Sequence, residues 1–201
     1  MFERIGEFTP TSIVQLFLLP YIAFSEMFGG RYKTLLDCGC GNLYQQNILE
    51  DRFGKVFFVD KEDRRTDNFF KADLNFEKLP FPMGKFDVVF SFEVIEHLEK
   101  ENQEKFVEEL VRVSNDFVVI GSVSKDGPSY VGEDLIFKKS LDCNPFHKNE
   151  FTSFEWKKFF KRVLRNVEYF HSELNDDGLE IVRQLDGKKG FCNYVVIRKG
   201  V

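Results

Sequence analysis

The stretch TLLDCGCGN, residues 34–42, is an apolar strand that runs into an acid and then into two glycines one residue apart. Glycine adopts positive φ without a Cβ clash, so Gly39 and Gly41 allow the backbone to turn sharply and to approach a ligand. A dinucleotide loop of the form Gly-x-Gly-x-x-Gly would need a third glycine where this sequence has Tyr44. Asp37 would also place a negative charge beside a pyrophosphate. The stretch therefore predicts a binding loop that suits a cationic ligand better than a dinucleotide.

A second acid, Asp60, ends the next apolar strand, Val56–Asp60. An Asp-x-Gly-x-Gly loop after a first strand, with an acid closing the second, resembles the class I S-adenosylmethionine-dependent methyltransferases. The resemblance implies S-adenosylmethionine as cofactor, with Asp37 at its positively charged methionine amino group and Asp60 at its ribose hydroxyls. It also implies that Asp73 lies beside the adenine amino group. The predicted cofactor-binding residues are Asp37, Gly39, Gly41, Asp60, Asp73 and Ser91.

Length and composition favour one globular domain over residues 1–201. A chain of this size buries roughly 70% of its unfolded surface, so it needs no disulfide or metal to fold. The net charge of -5 and the pI near 5.4 argue against general nucleic-acid affinity, because phosphate binding requires clustered lysine and arginine. The 25 phenylalanines predict a core rich in aromatic rings.

The cysteines give no sign of a zinc or redox motif, because none of the four, at positions 38, 40, 143 and 192, forms a C-x-x-C pair. They are typical of reduced thiols in a cytoplasmic protein. The apolar segment 13–28 is interrupted by polar residues and a proline, which makes it too short to span a membrane. We therefore expect a cytoplasmic protein without a membrane partner, and the sequence leaves its oligomeric state open.

Apolar strands alternate with helical segments along most of the chain, which predicts an α/β layer fold with a parallel sheet. Two late segments, Val167–His171 and Phe191–Ile197, read as strands with a turn at 186–190 between them. A terminal antiparallel hairpin added to five parallel strands is the class I methyltransferase arrangement. The predicted fold is therefore Rossmann-like and doubly wound, with a mostly parallel seven-stranded sheet and a terminal antiparallel hairpin.

Two segments outside this alternation have separate predictions. Residues 1–30 are predicted to form a helical cover, with a helix capped at Thr11 or Ser12 and kinked or ended by Pro20. Residues 123–150 form a long irregular insertion at the binding edge, which is typical of a substrate loop or lid.

The segment that follows the fourth strand, Phe92-Glu93-Val94-Ile95-Glu96-His97, concentrates ionisable side chains. In a first helical turn, Glu93, Glu96 and His97 would project from one side. Imidazole titrates near neutral pH, so His97, or in second place His147, is a candidate base that removes a proton from an attacking oxygen or nitrogen. A bland alternative is that Glu93 and Glu96 only favour a helix N-terminus, and that His147 is an ordinary turn residue.

A competing hypothesis is a metal site. Two carboxylates and two imidazoles are a plausible ligand set for Mg²⁺ or Mn²⁺. The same residues resemble those of RNA 3′-terminal ribose methyltransferases, in which a metal holds the terminal hydroxyls. The residues that match are Glu93, Glu96, His97 and His147.

The favoured prediction is an enzyme that moves a methyl group from S-adenosylmethionine to an oxygen or nitrogen of a small-molecule acceptor. The alternative enzyme is the metal-dependent RNA ribose methyltransferase, although the acidic composition makes a nucleic-acid partner less favoured. A third hypothesis is a protein that binds the cofactor without catalysis, because Leu43 stands where the resembling family often has a glycine.

Overall fold

The computed structural model describes residues 4–8, 13–127, 146–175, 178–184 and 189–199. Most of the predicted substrate loop 123–150, including Cys143, lies outside these residues, as does most of the predicted turn at 186–190. No helix in the described ranges is both long and apolar enough to cross a membrane.

The described part of the chain contains four α-helices, two short 3-10 helices and nine strands. The helices are α1 Ile13–Phe28, α2 Gln46–Arg52, α3 Gln103–Val113 and α4 Ser153–Val163. The strands are β1 Arg4–Phe8, β2 Thr34–Cys38, β3 Lys55–Asp60, β4 Phe69–Lys71, β5 Phe86–Phe92, β6 Ser114–Val123, β7 Val167–Asn175, β8 Gly178–Arg183 and β9 Cys192–Arg198.

All nine strands form one sheet, in the order β1-β8-β7-β9-β6-β5-β2-β3-β4. Strands β2 to β6 run parallel, and β9 and β7 add antiparallel neighbours beyond β6. The predicted α/β fold with a mostly parallel sheet and a terminal hairpin is therefore confirmed. In a sheet of this kind ligands bind at the carboxyl ends of the parallel strands, which are the ends of β2, β3 and β5.

The sheet has two strands more than the seven predicted. β8 pairs antiparallel with β7, and β1 pairs antiparallel with β8, so both extend the edge beyond the hairpin. The chain therefore makes an additional strand between the two segments of the predicted hairpin. Its N-terminal cover likewise begins with a strand that completes the sheet.

Each face of the sheet is covered by its own apolar cluster. On one face, α1 packs its rings against β5, and Phe24 stacks on Phe92 with ring centroids 5.8 Å apart. On the other face, α3 and α4 supply Phe106 and the fully buried Trp156. The α4 helix begins with a capping box, in which Thr152 and Glu155 exchange hydrogen bonds.

The sequence predicts that Pro20 kinks or ends this helix; α1 continues through Pro20, so an end at this residue is wrong. Proline removes one backbone donor and usually kinks a helix, but burial of Leu19, Ala23 and Phe24 on either side stabilises the continuous form. One continuous helix therefore carries Phe17, Leu18 and Tyr21.

Candidate active site

The loop after β2 has the backbone conformation that its glycines predict. Gly39 and Gly41 have φ of 85° and 54°, and Leu43 is also left-handed, with φ of 62°. The N–H groups of Gly39 and Cys40 donate to the Val59 carbonyl oxygen at 2.7 and 3.1 Å. These hydrogen bonds hold the loop against the end of β3, at the carboxyl edge of the sheet.

The two glycines have different surroundings. A Cβ added at Gly39 would lie 2.2 Å from Cγ2 of Val94, whereas a Cβ added at Gly41 would meet no atom within 4 Å. The first glycine is required by close packing of the loop against the turn that follows β5. The second borders open space, which is where a ligand could approach the backbone.

Asp37 is fully buried at the base of this loop. Its carboxylate accepts hydrogen bonds from the Tyr21 hydroxyl at 3.1 Å and from Nε2 of Gln45 at 2.5 Å. Burial raises the pKa of Asp37 to about 7, and the bonds from Gln45 and Tyr21 only partly oppose this rise. The group therefore changes charge near neutral pH.

A cavity of about 310 Å³ opens beside the loop, which is within the usual size range of small-molecule sites. Its lining residues come from α1, the glycine loop and the end of β5. They are Phe17, Leu18, Tyr21, Gly39, Cys40, Gly41, Asn42, Tyr44, Gln45, Phe92 and Glu93. Asp37 is not among them, because Tyr21 and Gln45 lie against its carboxylate. Tyr21 and Gln45 line the cavity and also bond to Asp37, so they connect the buried carboxylate with the cavity.

Asp60 lies at the end of β3 beside the same loop. Its Oδ2 accepts the Gly41 N–H at 2.9 Å, and its Oδ1 accepts the Glu62 N–H at 3.1 Å. Nε of Arg64 donates to the Gly41 carbonyl at 2.7 Å. Each carboxylate oxygen has a second lone pair, so Asp60 shapes the loop and retains acceptor capacity for a ligand hydroxyl.

The other two predicted cofactor residues make local contacts. Oδ1 of Asp73 accepts the Asn75 N–H at 2.9 Å in the turn after β4. Ser91 is fully buried, and its hydroxyl donates to the Cys38 carbonyl at 2.9 Å. Ser91 therefore ties β5 to β2, and of the six predicted residues Gly39 and Gly41 are the ones that line the cavity.

The turn after β5 is not the α-helix that the spacing predicts. Glu93 has φ of 56°, and a 3-10 turn covers Ile95–His97. The Glu93 N–H donates to the Gly121 carbonyl at 3.0 Å, so pairing with β6 continues into this residue, and its left-handed φ excludes a helical start here. A left-handed conformation is costly for a residue with a side chain, and such strain is often found at functional sites.

The structure nevertheless brings together most of the predicted ionisable cluster. Ligand-type atoms of Glu96, His97 and His147 all lie within 4.8 Å of one another. The two imidazole rings are 4.7 Å apart between centroids, at an angle of 76°. Residues 50 positions apart in the sequence thus form one group. Its two histidines are the predicted catalytic residues.

The carboxyl groups in this cluster are held in unusual surroundings. Glu96 is fully buried, and its carboxyl group interacts with the carboxyl group of Glu93. Burial raises the pKa of Glu96, and burial together with the neighbouring Glu96 carboxyl raises the pKa of Glu93 well above its usual range. Since Glu93 also lines the cavity, it connects the cavity to the histidine cluster.

Three polar residues of the site were missed in the sequence. Tyr21 is one of two hydroxyl side chains in a mostly apolar helix, and Gln45 lies in a loop without a recognisable motif. Glu150 accepts a hydrogen bond from Nδ1 of His147 at 2.7 Å. The spacing of this last pair, three residues, is the one signal that could have suggested a contact.

Comparison with known proteins supports the assignment that the loop and fold suggest. A family model described as a methyltransferase domain matches residues 36–116. A probable S-adenosylmethionine-dependent methyltransferase of Mycolicibacterium smegmatis is 27% identical over 169 residues, which cover 79% of this chain and 60% of that protein. The chain thus spans less than two thirds of this relative's length.

Solved structures show the same fold at low identity. An S-adenosylmethionine-dependent methyltransferase of Thermotoga maritima, described as a possible histamine N-methyltransferase, matches with a TM-score of 0.63 and 13% identity, over 87% of this chain and 86% of that chain. The small RNA methyltransferase HEN1 matches with a TM-score of 0.68 and 14% identity, over 98% of this chain and 26% of that chain. Residues 36–116, which carry the acid-glycine loop, thus match a methyltransferase-domain family, and the chain has the fold of solved S-adenosylmethionine-dependent methyltransferases.

Proposed function

We propose that this protein transfers a methyl group from S-adenosylmethionine to an oxygen or nitrogen of a small-molecule acceptor. The observation that carries the proposal is the continuity between the cavity beside the glycine loop and the histidine cluster. Glu93 belongs to both, because it lines the cavity and interacts with Glu96. Cofactor and acceptor would therefore meet at this residue.

The residues present fit the cofactor that the family implies. Gly41 borders open space, so the backbone can lie against a ligand there. Asp37 supplies a negative charge behind Tyr21 and Gln45, which favours a ligand with a positively charged amino group. Bound in this cavity, the cofactor would supply an electrophilic methyl group on a positively charged sulfur.

The charge of the site favours a neutral or cationic acceptor. Glu93, Glu96 and Glu150 all lie at or beside the two histidines, and the chain as a whole carries a net charge of -5. These carboxyl groups offer an anionic acceptor no positive partner, and any of them that is ionised would repel it unless a cation lay between them. His97 and His147 are the groups that could receive the acceptor's proton.

The proposal is tested by calorimetry with S-adenosylmethionine, followed by a screen of amines and hydroxyl compounds for cofactor-dependent methylated product. We expect saturable cofactor binding and at least one acceptor that is turned over. A protein that binds the cofactor but methylates no compound would support the non-catalytic hypothesis instead. A protein that does not bind the cofactor would contradict both.

Replacement of Asp60 tests the proposed ribose contact. We expect Asp60→Ala to weaken cofactor binding by roughly 1 to 3 kcal/mol, because both carboxylate oxygens would lose hydroxyl partners and the Gly41 N–H would lose its acceptor. The control is Asp63→Ala, which removes the same charge from an exposed position on the following loop. Equal affinity in the two variants, measured by calorimetry, would reject the role of Asp60.

A second candidate function is metal-dependent methylation of an RNA 3′-terminal ribose. The observation that favours it is the grouping of Glu96, His97 and His147. At ligand bonds of about 2.1 Å, opposite ligand atoms of a divalent ion lie about 4.2 Å apart. The ligand-type atoms of this group lie within 4.8 Å of one another, so a small movement would allow all three to bind one ion. The buried carboxyl group of Glu96 would then gain a cation as a partner, and Glu93 could complete the set of ligands.

Chelation separates the two functions. If the metal candidate is correct, methylation of a short RNA in the presence of Mn²⁺ should fall at least 100-fold after treatment with EDTA and return when Mn²⁺ is restored. A matched RNA whose terminal ribose lacks the 2′-hydroxyl should not be methylated under either condition. Methylation of RNA that EDTA leaves unchanged would exclude the metal. Chelator-insensitive turnover of a small acceptor, without any of RNA, would favour the first proposal.

A further inference from the structure

A short segment from a distant part of the chain completes the histidine cluster. Residues 146–151, the His147 segment, lie against the turn that follows β5. The N–H groups of Lys148 and Asn149 donate to the Glu96 carbonyl oxygen at 2.8 and 3.1 Å, and the Asn149 side chain donates to the Leu98 carbonyl at 3.1 Å. His147 is therefore held in place by the hydrogen bonds that the two residues after it make to this turn.

The hydrogen bonds of the two imidazoles fix their tautomers. Nδ1 of His97 lies 3.0 Å from the Phe146 carbonyl oxygen. Nδ1 of His147 lies 2.7 Å from Oε1 of Glu150. A carbonyl oxygen and a carboxylate oxygen can only accept, so each Nδ1 carries the proton. In both neutral rings the basic nitrogen is therefore Nε2.

The partners of the two rings differ in charge, and this difference separates their roles. When a histidine takes up a proton, a carboxylate on the opposite nitrogen stabilises the imidazolium that forms, more strongly than a neutral carbonyl does. The side chains of His147 and Glu150 are only 7% and 11% exposed, so water screens their interaction little. His97 has the weaker, neutral partner.

We propose that Glu150 is a positioning residue, which holds His147 in the Nδ1–H tautomer and makes Nε2 of His147 the proton acceptor of the reaction. The inference rests on the proposed function and reverses the order of the two candidate bases expected from the sequence. In the reaction, a lone pair of the acceptor forms the bond to the methyl carbon while the carbon–sulfur bond breaks toward sulfur. The acceptor's proton passes to Nε2 of His147, and Glu150 remains ionised.

The first test reads the tautomers directly and needs no acceptor. The chain has three histidines, so their imidazole nitrogens can be assigned in a long-range ¹H–¹⁵N spectrum recorded at a pH where the rings are neutral. We expect Nδ1–H for His97 and His147. His171, whose Nε2 faces Glu173 at 3.1 Å, should show Nε2–H and serves as an internal reference.

Variants of Glu150 then separate its charge from its hydrogen bond. Glu150→Ala should convert His147 toward the Nε2–H tautomer, whereas Glu150→Gln should retain Nδ1–H through its amide oxygen. With the acceptor that gives the highest turnover in the screen, we expect Glu150→Gln to lower kcat roughly 10- to 100-fold and to leave the KM of the cofactor within about twofold. His147→Ala should lower kcat by roughly 10² to 10⁴.

The control is Glu99→Gln, which removes a half-exposed carboxylate that pairs with Lys148 in the same segment. All three histidine signals and kcat should be unchanged in this variant. An Nε2–H tautomer of His147 in the unmodified protein would overturn the inference. So would unchanged signals and unchanged kcat in both Glu150 variants. If no acceptor is methylated, the proposed function fails, and the spectra still decide whether Glu150 positions His147.

Discussion

Asp37→Asn is expected to make the protein more stable and at the same time to weaken cofactor binding. Burial raises the pKa of Asp37 from 3.8 to about 7, so an ionised Asp37 is costly in the folded state. A rise of this size corresponds to about 4 kcal/mol, at roughly 1.4 kcal/mol for each tenfold change in the ionisation equilibrium. Asparagine removes the charge, but its side-chain amide N–H groups would face Tyr21 or Gln45, each of which already donates a hydrogen bond to this side chain. We therefore expect a net gain of about 1 to 3 kcal/mol at pH 8.

The pH dependence of this gain has a definite sign. Well below pH 3.8 the carboxyl is protonated in both the folded and the unfolded chain, so the charge makes no difference. Between about pH 4 and pH 7 the unfolded chain releases the proton first, and the contribution of Asp37 to the free energy of unfolding falls as pH rises. The difference between Asp37→Asn and the unmodified protein should therefore be small at pH 4 and largest above pH 7, as measured by urea denaturation.

Cofactor binding should respond in the opposite direction. An ionised Asp37 attracts the positive charge of S-adenosylmethionine, so the affinity of the unmodified protein should increase from pH 6 to pH 8. Asp37→Asn should lower the affinity at pH 8 by roughly 10- to 100-fold and remove most of this pH dependence. Calorimetry at both pH values checks the expectation. Tighter binding by the variant would show that the acid has no part in holding the cofactor.

Asp87 provides a control of opposite sign. Its carboxylate accepts the backbone N–H groups of Lys33 and Thr34 at 2.8 and 2.9 Å. Burial acts to raise the pKa of Asp87, but the hydrogen bonds outweigh it and lower the pKa. The charge of Asp87 stabilises the fold above the unfolded pKa and ceases to do so as pH falls. Asp87→Asn should therefore reduce stability at neutral pH without a direct effect on cofactor binding.

The parallel part of the sheet was predictable because its signals are local. Strands β2, β3 and β5 are continuous apolar runs that end at Cys38, Asp60 and Phe92, and glycines mark the loop after β2. Strands β1 and β8 were not predictable in this way, because their assignment depends on pairing between residues 4–8 and 178–183. Their segments do not show a pattern that distinguishes an edge strand from a loop.

The site was predictable in its residue types more than in its geometry. The sequence suggested Glu93, Glu96 and His97 as one face of a helix, and the left-handed Glu93 replaces that helix by a tighter turn. Glu96 and His97 nevertheless lie beside His147, because the N–H groups of residues 148 and 149 donate to the Glu96 carbonyl oxygen. Such long-range backbone contacts leave no trace in local spacing, and for the same reason Tyr21 and Gln45 could not be connected with Asp37.

Replacement of each glycine of the binding loop by alanine should affect stability and cofactor binding to different extents. At Gly39 the new Cβ would lie 2.2 Å from Cγ2 of Val94, a stiff and buried side chain, and φ of 85° is unfavourable for alanine. We expect Gly39→Ala to destabilise the protein by roughly 2 to 5 kcal/mol. Movement of Val94 would also shift the adjacent Glu93, so cofactor binding should be lost as well.

Gly41→Ala is the matched comparison. Its Cβ would project into open space, so the cost should be the conformational term alone, about 1 to 2 kcal/mol. If that space receives the cofactor, the affinity should nevertheless fall at least tenfold. The double variant Gly39→Ala with Val94→Ala should recover part of the stability lost by Gly39→Ala, measured against Val94→Ala alone, because the clashing methyl groups are gone. Equal losses of stability at the two glycines, or no recovery in the double variant, would contradict the packing of this loop against the turn after β5.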